Sequence, residues 1–259
     1  MTDSESAKNP STIGTMIEVL RCFTVNEPVR GVTDIAAQVG LHKSSVSRIL
    51  QTLQQERLVV QDEQSRKYEL SWGLLGIAGP LLSQLSVRRV AYPLMEDLRD
   101  STQETVSLVV FDGLEGISVE QVASPRHIKH TSPMGTRYST GHSASIQVFL
   151  AHVEEERVRE LLAEGRFEFT TAPSAEDYLA ALRQARADGF AANAGLTHPD
   201  EVGIAAPVFD HRGIVTAALM IAAPRYRTDD ALIAQLGPAC ADVASVISER
   251  MGFAGHVED

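Results

Sequence analysis

Positive charge is in short supply: 23 Lys and Arg stand against 34 Asp and Glu, a net charge of −11. Taken as a whole, that balance argues against a polyanionic partner. Cysteine is scarcer still. Only Cys22 and Cys240 are present, far apart and both in apolar, helix-like patterns, which excludes a disulfide framework and reads as two buried thiols in a reducing compartment. The opening stretch "MTDSESAKNPST" has neither the basic start nor the apolar run of an export signal. No run reaches the roughly 18 apolar residues of a membrane span. The longest candidate, "WGLLGIAGPLL", is short and broken by Pro80. A cytoplasmic protein without a membrane partner is therefore expected. No internal repeat or low-complexity tract stands out. What is present is an ordinary apolar content of 44% over 259 residues, enough for two cores and suggestive of two domains.

The acidity is unevenly spread. Residues 1–72 hold eight Lys and Arg against nine Asp and Glu, while the remainder holds fifteen against twenty-five. Any nucleic-acid surface must therefore be local and near the N-terminus, with the acidic body facing away.

Three short helical patterns open the chain. "IGTMIEVLRCF" places Ile13, Ile17, Leu20 and Phe23 on one stripe, and "EPVRG" then breaks the pattern. "TDIAAQVG" reads as a compact helix with Thr33 as its N-cap and Gly40 as its terminator. The third helix, His42 to Glu56, turns Val46, Ile49, Leu50 and Leu53 to one face. Its opposite face carries Ser44, Arg48, Gln51 and Gln55, flanked by Ser45 and Ser47, with Lys43 at the start and no acid before Glu56.

A solvated helix surface usually mixes Glu with Lys. Short hydroxyls and a Lys at a helix N-terminus suit phosphate oxygens instead, and Arg and Gln can each bond two atoms of a base edge. "LVVQDEQSRKYEL" follows as two short strands, Leu58–Gln61 and Lys67–Leu70, joined by a polar turn carrying Arg66 and Lys67. Three helices and a β-hairpin make a winged helix-turn-helix, the competing reading being a small helical bundle with a merely polar face.

"TDIAAQVGLHKSSVSRILQTLQQERLVVQ" resembles the DNA-binding segment of the IclR family of bacterial transcriptional regulators, whose usual pattern is a GL-x-KST-V-x-R-LL run. "SPMGTRYSTGHSASIQVFLA" and "GIAAPVFDHRGIVTAALMIAAP" are similar to the two signatures of that family's effector-binding domain. The likeness runs from about Ile13 to Ile247. It implies an α+β protein: an N-terminal winged helix-turn-helix, linker helices, and a C-terminal GAF/profilin-like effector-binding domain with a central antiparallel sheet. The corresponding divisions are a disordered tail over 1–10, a DNA-binding domain over 11–71, linker helices over 72–103, a regulatory domain over 104–252 and a tail over 253–259. The linker, "SWGLLGIAGPLLSQLSVRRVAYPLMEDLRDST", reads as two helices, the first weakened by Gly79 and Pro80 and the second kinked at Pro93. By resemblance the first of them dimerises the DNA-binding modules.

From Thr105 onward strands and helices alternate. "TVSLVVF", "GISVEQVA" and "RHIKHT" read as the first three strands, "FAANAG", "VGIAAPVFD" and "IVTAALMIAA" as later ones. Helices are expected at Ser143–Ala151, Glu154–Ala163, Ala175–Asp188 and Asp229–Arg250. Within this region G-H-S-A-S, Gly141–Ser145, falls one residue short of a G-x-S-x-G nucleophile elbow. Its upstream segment is a polar loop holding Pro133 and Gly135, not a buried strand, and His142 lies beside Ser143 rather than reaching it from elsewhere in the fold. A loop entering a helix, with backbone N–H groups and the hydroxyls of Ser143 and Ser145 facing an anion, is the better reading; plain helix capping is the blander one. His127 and His130, three apart on a strand, point to opposite faces and make a poor metal pair, so no metal or other cofactor is expected.

The resemblance further implies a ligand cavity walled by His127, His130, Tyr138, Ser143, Ala144, Ser145, Asn193, Glu201, Gly203, Met220 and Ala222. Gly203 stands where family members that bind small polar acids carry Cys, Asn193 where they carry Asp, and Met220 and Ala222 where strand hydroxyls are common. Those departures point to a roomier, less polar pocket for an aromatic or hydrophobic acid. Arg57 stands where Gly normally ends the recognition helix, a position that strains any L-residue. The function implied is a non-enzymatic, ligand-responsive repressor or activator, a homodimer or dimer of dimers on a near-palindromic DNA operator. Arg48 and Gln51 would read bases, Thr33, Lys43, Ser44, Ser45 and Ser47 would hold phosphates, and Arg66 and Lys67 would touch the backbone or minor groove. The alternatives are a GAF-like enzyme using Ser143 and a constitutive DNA-binder without a ligand.

Overall fold

The computed structural model describes residues 11–84, 86–131 and 133–255. The tail expected at 1–10, and the last four positions of the tail expected at 253–259, lie outside the described residues. The chain divides into two compact units, Met1–Gln84 and Leu85–Asp259. The division falls between the two linker helices, so the first of them belongs to the N-terminal unit and the second to the C-terminal one.

In the first unit α1 (Thr12–Arg21), α2 (Val32–Val39) and α3 (Lys43–Gln55) pack with a three-stranded antiparallel sheet, β1 (Val29–Arg30), β3 (Tyr68–Leu70) and β2 (Val59–Gln61), in the order β1-β3-β2. The core is Val19, Cys22, Phe23, Ile35, Ala36, Val46, Leu50, Leu53, Val59 and Tyr68. Three expectations need correction here. The inward stripe of α1 is Met16, Val19, Leu20 and Phe23, while Ile13 and Ile17 face outward. This helix has two apolar stripes, and spacing alone does not say which is buried. "EPVRG" is not only a breaker, since Val29 and Arg30 pair with Glu69 and Tyr68. Arg30 is largely buried, bonding the Cys22 carbonyl and Gln38 and paired with Glu27. Thr33 does not cap α2: the N-cap is Gly31, with no side-chain hydrogen bond, and Thr33 lies exposed in the first turn.

The other end of α2 follows the expectation. Gly40 closes it at φ 67°, and only Gly40, Leu41 and His42 separate α2 from α3, a turn short enough to fix the two helices as a helix-turn-helix. Arg57 closes α3 at φ 60°, with its N–H donating to the Gln54 carbonyl (3.0 Å) and the Leu58 N–H to the Leu53 carbonyl (2.8 Å). That pair of bonds is a Schellman ending with arginine in the left-handed position. The carbonyl of Arg57 in turn meets Gly73, the first residue of α4 (Gly73–Gln84), so closely that a Cβ there would lie 2.1 Å from it.

The second unit is built on a six-stranded antiparallel sheet in the order β6-β5-β4-β9-β8-β7. The strands are β4 (Thr105–Phe111), β5 (Gly116–Val122), β6 (Arg137–Tyr138), β7 (Ala191–Ala194), β8 (Glu201–Phe209) and β9 (Val215–Pro224). Alternation along β9 divides the core: Ala218, Met220 and Ala222 face α6 (Ala144–Leu150), α7 (Glu155–Ala163) and α8 (Ala175–Asp188), while Ala217, Leu219 and Ile221 face α5 (Ser86–Thr102) and α9 (Asp230–Arg250). Both α4 and α5 continue through their prolines.

One reading of this unit is overturned. "RHIKHT" is not a strand: β5 ends at Val122, the next residues run as bends past Pro125, and the third strand is Arg137–Tyr138. Proline has no N–H to give a ladder. By length and composition alone α9 is apolar enough to cross a membrane. It lays Leu236, Cys240, Ala244 and Ile247 against the sheet as a core helix. Cys22 and Cys240 are both buried, and burial pushes the Cys240 thiol up to about 12.

The Arg57–Gly73 contact yields opposite expectations for two substitutions. Arg57→Gly relieves the left-handed strain and should raise stability by up to about 1 kcal/mol. Gly73→Ala should lower it by about 1–3 kcal/mol through overpacking. Urea unfolding of both variants checks the two signs.

Candidate functional site

Two places carry chemistry, one in each unit. In the first, Lys43, Ser44, Arg48 and Gln51 are exposed on the outer side of α3, and Ser45 and Ser47 are half-buried beside them. The inner side is locked by Val46, Leu50 and Leu53. The β2–β3 turn is set by Asp62. Its carboxylate accepts from the Ser65 N–H (2.7 Å) and hydroxyl (2.6 Å), and these bonds hold it below the usual carboxylate range. Arg66 sits at the turn with φ 59°, and Arg66 and Lys67 are both exposed.

Ion pairing differs between this surface and most of the second unit. In the second unit most arginines are neutralised by acids: Arg88 by Glu120, Arg99 by Asp100, Arg137 by Glu115, Arg159 by Glu176, Arg183 by Glu155, Arg212 by Asp210 and Arg227 by Glu104. Among the described residues, Lys43, Arg48, Arg66 and Lys67 are in no ion pair. Their charge is therefore available to a partner.

In the second unit a cavity of about 50 Å³ opens on the α6 side of the sheet. Its wall is His130, Tyr138, Ser143, Ala144, Asn193, Thr197, Glu201, Val202, Gly203, Met220 and Ala222. Antiparallel register brings most of them together, with Asn193 opposite Gly203 and Gly203 opposite Ala222. His130 Nδ1 lies 3.0 Å from Glu201 Oε1. A Cβ at Gly203 would touch only Ala144, at 3.9 Å, so packing does not demand glycine there. The Asn193 amide is occupied by the loop that follows it, accepting from the Leu196 N–H (2.9 Å) and donating to Thr197.

Two expected wall residues fall elsewhere. His127 is exposed on the bends after β5, because that segment is not a strand. Ser145 is fully buried beneath Ser143, their hydroxyls 3.0 Å apart. Thr197 and Val202 were missed; Val202 adjoins the signature, and Thr197 lies in a loop with no period to reveal it. Nor is the cavity roomy, although Gly203 and Ala222 line it and a Cβ at Gly203 would meet only Ala144. It has about a third of the roughly 150 Å³ that accommodates benzene. A larger cavity, about 170 Å³, lies between β8 and α9, but it is lined by Gly189, Pro207, Phe209, Ala241, Ser245, Ser248 and Phe253, with no charged group to fix an acid. Chemistry rather than size favours the smaller one.

The elbow-like stretch is explained by packing. A Cβ at Gly141 would run into the Phe169 ring at 2.2 Å, and the Gly141 carbonyl accepts from the buried Tyr178 hydroxyl (2.6 Å). His142 turns away from Ser143, its Nε2 lying 3.0 Å from the Thr171 carbonyl and its ring edge-on to Phe169. The Ser143 hydroxyl meets another serine, not a base.

Comparison with known proteins agrees with both units. The IclR helix-turn-helix domain matches residues 16–63, and the bacterial transcriptional regulator IclR C-terminal domain matches residues 80–249. The chain belongs to the IclR family of bacterial transcriptional regulators. Within that family the glycerol operon regulatory protein of Streptomyces coelicolor is 30% identical over 250 residues, covering 95% of this chain and 98% of that one. A crystal structure of an IclR-family regulator domain is 42% identical, with a TM-score of 0.63, over 65% of this chain and 98% of that one. An IclR homologue from Microbacterium hydrocarbonoxydans, complexed with 4-hydroxybenzoate, shares the fold at 22% identity and a TM-score of 0.74, covering 91% of this chain and 98% of its own.

Replacing Gly141 by Ala forces the Phe169 ring aside and should cost about 1–3 kcal/mol. Ser143→Ala, by contrast, should leave ester turnover at the background of the unmodified protein. Thermal unfolding and hydrolysis of a nitrophenyl ester check the two, and a hydrolytic rate lost with Ser143 would restore the enzyme reading.

Proposed function

We propose that this IclR-family chain is a cytoplasmic regulator, not an enzyme, whose affinity for a near-palindromic operator is set by a small organic acid in the C-terminal cavity. The observation that carries the reading is the set of unpaired cations, Lys43, Arg48, Arg66 and Lys67, on a unit whose α3 outer side bears no carboxylate before Glu56. In this reading α3 lies in the major groove. Arg48 and Gln51 meet base edges, the hydroxyls of Ser44, Ser45 and Ser47 together with Lys43 and Thr33 meet phosphates, and Arg66 and Lys67 meet the backbone beside it.

The protein acts as a homodimer or dimer of dimers. In support, Trp72, Leu75, Ile77 and Leu81 on or beside α4 expose apolar side chains, Trp72 to 85%. Apolar side chains left exposed on both sides of one helix are costly in water unless covered. Two copies related by a two-fold axis set two α3 helices about one helical turn apart.

The effector is an acid with an apolar body, its polar end at Ser143 and His130 and its body on Met220, Ala222 and Ala144. An aromatic acid enters only if Met220 moves, which its unbranched side chain permits. The 4-hydroxybenzoate bound by the Microbacterium homologue is an acid of this class. No metal cluster of His, Cys, Asp or Glu occurs among the described residues, and the reading requires no cofactor.

Selection from a random duplex pool should enrich two inverted half-sites about 10 base pairs apart. A pool that stays random would contradict the operator reading. In a thermal-shift panel of benzoate, 4-hydroxybenzoate, pyruvate and glyoxylate, the benzoates should stabilise the protein most, and Met220→Ala should favour them further. Stabilisation by the two short acids alone would show that the apolar body is wrongly assigned, and stabilisation by none would remove the acid altogether.

A further inference from the structure

The cavity wall and the second linker helix are joined by a chain of buried hydroxyls. Helix α5 ends at Thr102, Gln103 reverses the chain at φ 63°, and Thr105 opens β4. Thr105 is fully buried and pairs in register with Ala222 of the cavity wall. Its hydroxyl donates to the carbonyl of His130 (2.7 Å) and accepts from the N–H of Ser124 (3.1 Å). The Ser124 hydroxyl, also buried, donates to the carbonyl of Gln103 (2.6 Å), the residue that terminates α5. A second tie runs from Arg99 on α5 to the Ala123 carbonyl (3.3 Å). The segment 123–130 is thus fastened at one end to the linker helix and at the other, through the His130 carbonyl, to Thr105, while the His130 ring lies against Glu201 in the cavity wall.

Each hydroxyl has one proton to give, and both are committed. A shift of the His130 backbone must break the Thr105 bond or carry Thr105 with it, and Thr105 stands three residues from the helix end. Buried hydrogen bonds of this kind resist partial rupture, so the arrangement favours movement as a unit.

We propose that Thr105 and Ser124 are positioning residues that couple the state of the cavity wall at His130 to helix α5, and through it to operator affinity. The proposal rests on the reading of the cavity as the effector site and names the regulation of that site. It is an energetic coupling between two places, so it is measured as one.

The test is a double-mutant cycle on the full-length protein, read as the dissociation constant for the selected operator duplex. His130→Ala should change that constant by at least about 5-fold, the low end of ordinary coupling. In a Thr105→Val or Ser124→Ala background the same substitution should change it by less than about 2-fold. In a Thr105→Ser background, where the hydroxyl returns, the full effect should reappear. Melting curves identify any variant that fails to fold, and the two independent backgrounds keep the test available if one does. An effect of His130→Ala that is equal in all backgrounds, or absent from the unmodified one, overturns the coupling. The cavity reading is decided separately by the acid panel, since the cycle needs no ligand.

Discussion

A charged molecule binds another of the same sign only where its own charge is locally arranged to allow it. That constraint governs this protein. Most second-unit arginines are tied to carboxylates of the same unit, and the excess acid there remains unbalanced. The cations of α3 and the β2–β3 turn have no such ties. At an ionic strength where fields fade within about 8–10 Å, the acidic body repels DNA only at short range, and the free cations decide what happens at contact.

Around that surface the rest of the N-terminal unit works as a support. The three-residue turn Gly40–His42, the Schellman ending at Arg57 and the close meeting of Arg57 with Gly73 fix where α3 begins, where it ends and where α4 departs. Arg57 replaces the glycine that would fit most easily, and the strain is carried by the hydrogen bonds of the ending. In the second unit, a sheet buried on both sides holds its cavity at the level of Met220 and Ala222. The first strand after the linker helix, β4, pairs with β9 beside it, Thr105 opposite Ala222.

Much of this was legible in the sequence, and the misses have physical causes. The α3 face could be read because its inner side is strictly apolar and its outer side lacks acids, so both halves of the pattern agree. The strands β8 and β9 were legible because long apolar runs buried on both faces have few alternatives. "RHIKHT" misled because alternating types suggest a strand, whereas a strand also needs a partner edge, and β5 finds its neighbour in Arg137–Tyr138. Ile13 and Ile17 misled because α1 carries two apolar stripes. The cavity wall was named largely through family resemblance. Its volume, about 50 Å³, was not legible, since it is set by side chains from strands and loops far apart in the chain, Tyr138 and Thr197 among them. The hydroxyl chain from Thr105 to Gln103 was invisible, since it joins residues about twenty positions apart by backbone carbonyls.

The central claim is that the outer face of α3 reads DNA sequence. Its most direct test is to compare the unmodified protein with the double variant Arg48→Ala, Gln51→Ala on the selected operator and on a scrambled duplex of equal length and salt. The account expects the variant to lose about 1–3 kcal/mol of discrimination per lost base contact while keeping its binding to the scrambled duplex. Undiminished preference for the operator in the double variant would contradict it.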